Sequence, residues 1–528
     1  LVGSEMCIRD RVLIAKVYFE QSYDDFYPDR DRVYQVWAKY QQNGGELKDY
    51  PQTSGGIAPT MQQQIPEIET VTRYTSFGDW TFTMTDTKMK YSGRCIIADS
   101  CFFDILPRPM LIGNAKEVLS TPMYVLISSR IAKNIGGDVI GKNFTVDNSP
   151  GRTMTIGGVF EEVPENSHSR YDVIVSMASA GRFMWEGSPT NMLGNDRYIS
   201  YVKLHKGVNP LALEEQVRTF VNSYFPPEEQ QKVGLSIDFS FHKLDNLHKE
   251  LPQVKRMTWI LSLLAFALIF TAVMNYILIV ISSIVNRSKE VAVHKCYGAS
   301  ENNIHGMMFG EALVHIVLSL ILALLLILAF RGTVEELLAT SLDSLLLSNG
   351  SLVLLGICIL VFFVSGFMPG SLYARIPVAS AFRNYRENKR IWKKALLLVQ
   401  FVATGFLVTM LVFVARQYTF MVNDRPGYAY ENLAYCGLAG VDSTSRAKIL
   451  DEVMRLPGVA AATTVYQLPF EHASGNNILL PGGTQELFNI ADLYWVGNGY
   501  LDMMEIPVIQ GRSFTENVTN SREVMVDR

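Results

Sequence analysis

Apolar and polar residues alternate along the first half of this chain and then separate into long blocks. From about Tyr18 to Leu251 the apolar positions come in short runs, and Arg152–Phe160 shows the period of two expected of a strand. Helical spacing occurs at Thr60–Ile65 and Leu211–Tyr224, with Gly, Pro and Asn at the junctions. Mixed strands and helices predict an α+β domain over residues 18–251. The pattern then changes. Four runs, Thr258–Val285, Ala312–Phe330, Leu352–Met368 and Ala395–Ala415, hold no Asp, Glu, Lys or Arg. A helix needs roughly 20 apolar residues to cross a bilayer, and buried soluble helices are rarely so long without charge, so all four are expected to be transmembrane. The expected fold class is an α-helical membrane protein with α+β extracytoplasmic domains.

A second polar region begins near Gln417 and echoes the first. Phe102–Gly113 aligns with Tyr500–Gly511 without a gap, keeping aromatic, Asp, Pro and Gly in place, and Ile65–Ile68 similarly matches Leu456–Val459. Two matches in the same order predict a duplicated domain, with a further three-span block beyond the present C-terminus. Residues 1–11 resemble a translated sequencing-adapter fragment, and residues 12–17 are expected to be the last turn of a first membrane helix. The remaining organisation follows: a three-span block over 252–373, a basic loop over 374–394, a fourth complete span over 395–416 and a truncated second domain over 417–528.

The net charge of −4 matters less than its placement. Arg375, Arg383, Arg386, Lys389, Arg390, Lys393 and Lys394 stand against Glu387 alone in the loop before the fourth span. The connector after the first span carries Arg287, Lys289 and Lys295 against Glu290 and Glu301, whereas Arg331 is outnumbered by Glu335, Glu336 and Asp343 after the second. Positive residues mark the cytoplasmic side, so the connector and the basic loop are expected inside and both large polar regions outside. Nucleic-acid binding is the weaker reading of a basic loop that is short and lies between two spans. Among six cysteines, Cys95 and Cys101 fall in the external region, where they could pair as a disulfide or serve as small buried side chains.

The chain offers little chemistry of its own. No Gly-x-x-x-x-Gly-Lys-Ser/Thr loop occurs, so an ATP-driven process requires an ATPase on another chain. The eight histidines show no metal-binding spacing, and no cofactor or metal is expected; His168, in a turn, is better placed for packing between strands than for ligation. No Gly-x-Ser-x-Gly elbow is present, and no catalytic residue is assigned. Within the apolar runs Asn275, His315 and Gln400, with Glu311 at a helix end, suit interhelical hydrogen bonds better than a proton relay. That leaves the connector. Lys289–Lys295 can form a short amphipathic helix stopped by Gly298, either to fit a groove on a cytoplasmic partner through Val and Tyr contacts or merely to anchor a solvated turn.

Asn275-Tyr276, Arg287, Lys289-Glu290-Val291, Lys295 and Gly298-Ala299-Ser300 together resemble the signature of FtsX-like permeases, the membrane subunits of MacB-type ABC transporters. Phe102-Phe103-Asp104, Gly113, Gly158-Val159-Phe160, Pro164-Glu165-Asn166-Ser167-His168 and Leu244-Asp245-Asn246-Leu247-His248 resemble the MacB-type periplasmic core domain. Trp392-Lys393-Lys394-Ala395 with Gln400-Phe401 is similar to the start of the second half in duplicated, eight-span members. The chain departs from the family pattern at Ala292, His294 and Tyr297, where Gly, Arg and an aliphatic residue are usual.

The resemblance implies a permease subunit of the bacterial inner membrane. A separate cytoplasmic ABC ATPase dimer would bind ATP and grip a coupling element made of Arg287, Lys289, Glu290, Val291, His294, Lys295, Gly298 and Ala299. A second permease copy or homologue is implied, and a periplasmic adaptor and outer-membrane channel could join for export of a peptide, amphiphile or lipoprotein. Two alternatives stay open: a non-transporting transducer that regulates an envelope enzyme or sensor kinase, and a membrane-anchored receptor or scaffold.

Overall fold

The computed structural model describes residues 15–332, apart from 43, 44, 46, 147, 148, 195 and 196. It also describes residues 391–514, apart from 424–426, 439, 440, 470–473 and 481–485, with scattered positions between these stretches and residues 524–526 beyond. The chain divides into two units, Leu1–Val408 and Thr409–Arg528.

Alternation in the first unit builds one mixed sheet of eleven strands. These are β1 (Val33–Gln42), β2 (Lys48–Tyr50), β3 (Ile68–Met84), β4 (Lys90–Ala98), β5 (Met110–Ile112), β6 (Tyr124–Ser128), β7 (Asn143–Val146), β8 (Ser149–Phe160), β9 (Val173–Ser176), β10 (Ile199–Leu204) and β11 (Leu235–Lys243). Their order is β11-β1-β10-β3-β4-β9-β6-β8-β5, with β2 beside β1 and β7 beside β3 and β8. The pairs β4/β9 and β6/β8 are parallel and the others antiparallel.

The sheet carries more than one core because its longest strand is bent. The register of β3 against β4 shifts between Ser76 and Asp79, where Gly78 takes φ +72°, a conformation that suits glycine at a bulge. Before the bulge β3 pairs with β10, and after it β3 reaches β7. One core gathers Val36, Val71, Val202 and Phe239 under the helices Ile57–Gln64 and Glu214–Tyr224. A second gathers Trp80, Phe82, Val125, Ile156 and Val175 on the far side of the bulge. A third contains Phe102, Phe160, Tyr171, Tyr201 and Leu244.

Several expectations meet the structure directly. Arg152–Phe160 lies in β8, and the helix expected at Thr60–Ile65 begins three residues earlier. At Leu211–Tyr224 the regular helix starts only at Glu214, after a 3-10 turn over Pro210–Leu213; Glu214 and Glu215 then sit in its first turn, where the helix dipole favours acids. Cys95 is buried in β4, Cys101 sits at the start of the helix Phe102–Ile105, and both are free thiols, so the disulfide pairing is not formed. Burial pushes both thiols up in pKa.

Among the described residues, three helices are long and apolar enough to cross a membrane, with qualifying segments Pro252–Asn275, Glu301–Ala329 and Leu397–Asn423. The first belongs to an uninterrupted 45-residue helix, Pro252–Cys296, about 65 Å long at 1.5 Å per residue. The run Leu352–Met368 lies largely outside the described residues. Its described aromatics meet the second long helix, with Phe309 5.3 Å from Phe362 and 5.9 Å from Phe363, and His305 stacked 5.6 Å from Phe367. Gln400 donates from Nε2 to the Thr271 carbonyl at 3.1 Å, the interhelical hydrogen bond expected of it.

The second unit contains the helix Ser443–Met454, capped by Asp442, the antiparallel pair β12 (Ser474–Leu479) and β13 (Glu486–Leu493), and the helix Tyr500–Met503. Local conformation repeats where the sequence does. Phe102–Ile105 and Tyr500–Met503 are both four-residue helices, and Gly113 and Gly511 both have positive φ, +83° and +97°. Ile68 N–H bonds the Ile65 carbonyl at 3.1 Å, and Val459 N–H bonds that of Leu456 at 3.2 Å.

Candidate functional site

The connector is the continuation of the first long helix rather than a separate short one. Leaving the apolar run brings no helix breaker until Gly298, so the helix runs on to Cys296. Gly298 then takes φ +91°. Its N–H bonds the Lys295 carbonyl at 3.0 Å and the Ala299 N–H bonds that of His294 at 3.0 Å, which is the paired bonding of a Schellman stop. Ser300 follows as the N-cap of the second long helix, its hydroxyl accepting from Asn303 N–H at 3.4 Å. Two helices thus meet at a turn in which capping satisfies both ends.

The faces of this element differ. Ser288, Val291 and Ala292 are buried, and Arg287 and Lys295 are half-buried. Lys289, Glu290, Val293, His294 and Gly298 are exposed, and Tyr297 is 90% exposed. Val291, expected as a contact for a partner, therefore faces inward, and the outward valine is Val293. Burial of Ala292 gives a physical reason for a small side chain there. Arg287 also turns inward: its Nη1 donates to Glu311 Oε2 at 2.7 Å, its Nη2 bonds Glu311 Oε1, and its Nε lies 3.6 Å from Glu290 Oε2.

At the other end of the first long helix, a second cluster joins helix and sheet. Residues 15–21 form a helical stretch that leads into the sheet domain, and Leu244–Leu251 leads out of it. Glu20 Oε2 lies 2.5 Å from His248 Nε2, and the His248 ring stacks on Tyr23 with centroids 3.4 Å apart. Lys249 reaches Asp245 at 2.8 Å and Asp25 at 3.5 Å, while Arg30 contacts both acids. Entry and exit are clasped together.

The clasp is tied to the core through Asp24, which is buried and holds φ +60°. Its N–H donates to the Asn166 carbonyl at 2.9 Å, and its carboxylate accepts from Ser167 Oγ at 3.1 Å and from His168 N–H at 3.3 Å. His168 Nδ1 lies 2.8 Å from Asp24 Oδ2, and its Nε2 lies 2.5 Å from the hydroxyl of Tyr201 in β10. His168 thus packs as expected, inside a hydrogen-bonded cluster. Asn166 Nδ2 completes it by donating to the Ser22 carbonyl at 2.7 Å. The Tyr27 and Tyr171 hydroxyls nearby are buried beside the cluster.

Burial works against ionisation of Glu20, but hydrogen bonds from His248 and Lys16 outweigh it and hold the carboxyl below the usual glutamate range. A depressed folded pKa stabilises the native clasp above the unfolded pKa, and that contribution is lost as pH falls through the folded value. Hydrogen exchange of residues 15–25 and 244–251 is therefore expected to accelerate as pH falls below about 4.5, after correction for intrinsic rates, and less so in Glu20→Gln. Equal acceleration in both proteins would remove Glu20 from the clasp.

A family model of the MacB-like periplasmic core domain matches residues 13–220, and one of the FtsX-like permease C-terminal region matches residues 262–378. The chain belongs to the FtsX/MacB-type permease family. Among solved structures, a domain of a Porphyromonas gingivalis protein described as a permease is 33% identical, over 41% of this chain and 91% of that one, at TM-score 0.38. The periplasmic region of MacB from Actinobacillus actinomycetemcomitans is 15% identical, over 42% of this chain and 91% of that one, at TM-score 0.27. The extracellular domain of the noncanonic ABC-type transporter YknZ from Gram-positive bacteria is 11% identical, over 39% and 98%, at TM-score 0.28. No curated protein matches the chain.

The FtsX-like match contains the whole turn, and the MacB-like match contains Glu20, Asp24, His168 and Tyr201. Sequence reasoning read His168 as a packed turn histidine, singled out the stretch around His248 only as a resemblance, and missed Glu20, Asp24 and Tyr201. No spacing signal could have found these three, because Asp24 and Ser167 stand 143 residues apart.

Proposed function

We propose that this FtsX/MacB-type permease works as a mechanical coupler, receiving ATP-driven motion at the turn Tyr297–Ser300 and passing it along the first long helix to the sheet domain. The observation that carries this reading is continuity: one unbroken helix runs from Pro252, just beyond the clasp residue His248, to the exposed turn. The turn presents Lys289, Glu290, Val293, His294 and Tyr297 to a cytoplasmic ABC ATPase dimer, which binds the ATP. Tyr297 would act as the aromatic anchor, flanked by charge. The long helices cross the bacterial inner membrane with the turn inside and both polar regions outside, as the loop charges support. The second unit is a further core-like domain, supported by the local conformations it shares with the first. A second permease copy completes the assembly, and the cargo is a peptide, amphiphile or lipoprotein handled on the outer side.

The test is co-purification of the full chain with a candidate ABC ATPase. Tyr297→Ala is expected to weaken the complex about 30-fold, as loss of a buried aromatic anchor does, and Glu290→Lys to lower ATPase stimulation. If both variants leave complex formation and stimulation intact, the turn is not the docking point.

A further inference from the structure

Among the charged residues of the connector, Arg287 is half-buried and reaches across to the second long helix. It emerges two residues beyond the apolar run that ends at Val285, and Glu311 stands immediately before the run that begins at Ala312. The planar guanidinium meets the Glu311 carboxylate through two N–H donors, one at 2.7 Å, in the fork-to-fork geometry that gives charged hydrogen bonds both strength and direction. A carboxylate at the mouth of an apolar segment is costly without such a partner. Helix periodicity fits the same arrangement. Ser288, Val291 and Ala292 fall on one buried face of the first long helix, and Ile304, Met308 and Ala312 fall at four-residue intervals on a buried face of the second.

We propose that Arg287 and Glu311 form a strut between the first and second long helices, making Arg287 a positioning residue for the turn and not a contact for the ATPase. The strut closes the helical hairpin at its membrane edge. With the Schellman stop and the Ser300 cap closing the other end, the exposed residues Val293, His294 and Tyr297 are held on a rigid tip. A push on that tip then moves both helices together instead of fraying the connector. This rests on the reading of the turn as a docking point only for its consequence in coupling, since the strut itself is measurable with no ATPase present.

The experiment is limited trypsin digestion of the full chain in lipid nanodiscs, following by mass the cleavage after Lys295, which requires local opening of the helix. Arg287→Gln and Glu311→Gln are each expected to speed that cleavage about tenfold. The reversed pair, Arg287→Glu with Glu311→Arg, is expected to return it to within about twofold of the parent. Arg287→Lys keeps the charge but loses the fork, and falls between parent and Arg287→Gln. Single variants indistinguishable from the parent, or a reversed pair no better than the worse single variant, would overturn the strut. Tyr297→Ala separates the two claims: it leaves the cleavage rate unchanged while weakening ATPase binding. Intact ATPase binding in Tyr297→Ala alongside a behaving strut would sink the docking reading alone.

Discussion

Asp24→Ala is expected to lower the unfolding temperature of the sheet domain by about 6–20 °C. The carboxylate is buried and accepts from Ser167 and from His168, so its removal takes the partner from the His168 N–H and Nδ1, while Ser167 Oγ keeps the Ser169 carbonyl. Breaking a buried charged or strongly hydrogen-bonded pair costs about 3–5 kcal/mol, and each kcal/mol lowers the melting temperature of a 150–250-residue domain by about 2–4 °C. Alanine adds a backbone penalty, because Asp24 holds φ +60°, which short polar side chains tolerate better. Asp24→Asn keeps an acceptor and that tolerance, and is expected to lose roughly half as much. Differential scanning calorimetry of the purified chain measures both, and a shift below about 2 °C for Asp24→Ala would show that the cluster does not hold the domain together.

Gly298→Val is expected to abolish coupling without touching the core. Among the described residues nothing beyond its chain neighbours lies within 4 Å of a Cβ placed at this glycine, so the effect comes from the backbone. At φ +91° a β-branched residue costs about 1–3 kcal/mol, and relaxing that strain breaks the bonds from Gly298 and Ala299 to the preceding turn. The tip bearing Tyr297 then loses its fixed orientation. ATPase stimulation in the assembled complex is expected to fall at least about tenfold in Gly298→Val, less in Gly298→Ala, and little in Gly298→Asn, because asparagine tolerates left-handed backbone. The order of the three variants is the discriminating feature; equal losses would point to space at the turn rather than its backbone.

Local and periodic features were readable from sequence because each depends on neighbouring residues. The strand at Arg152–Phe160, the apolar blocks and the stop at Gly298 all have causes within a few positions. Two kinds of information were not. The connector was expected to be a separate helix, but composition shifts where the chain leaves the apolar block while backbone geometry does not, and the helix continues to Cys296. Which side of that helix faces outward depends on the neighbouring helix, so Val291 and Arg287 were grouped with exposed residues although one is buried and the other is held by Glu311. The clasp is the clearest case of distant information. Glu20 and His248 are 228 residues apart, and only the return of the chain to its starting point brings them together.

The same geometry relates the two clusters. The clasp lies where the first long helix leaves the sheet domain, and the turn lies where that helix ends. No group of three or more His, Cys, Asp or Glu side chains that could hold a metal ion occurs among the described residues, and both clusters are held together by hydrogen bonds. A helix of about 45 residues with tight anchorage at both ends suits transmission of force.

Hydrogen exchange at the clasp, measured in the full chain assembled with the proposed ABC ATPase, tests this transmission most directly. Adding a non-hydrolysable ATP analogue is expected to change the protection of residues 15–25 and 244–251, and Gly298→Val is expected to erase that change while leaving the protection without nucleotide as it was. Identical exchange at the clasp with and without nucleotide, in a complex whose ATPase demonstrably binds the analogue, would contradict mechanical coupling through the first long helix.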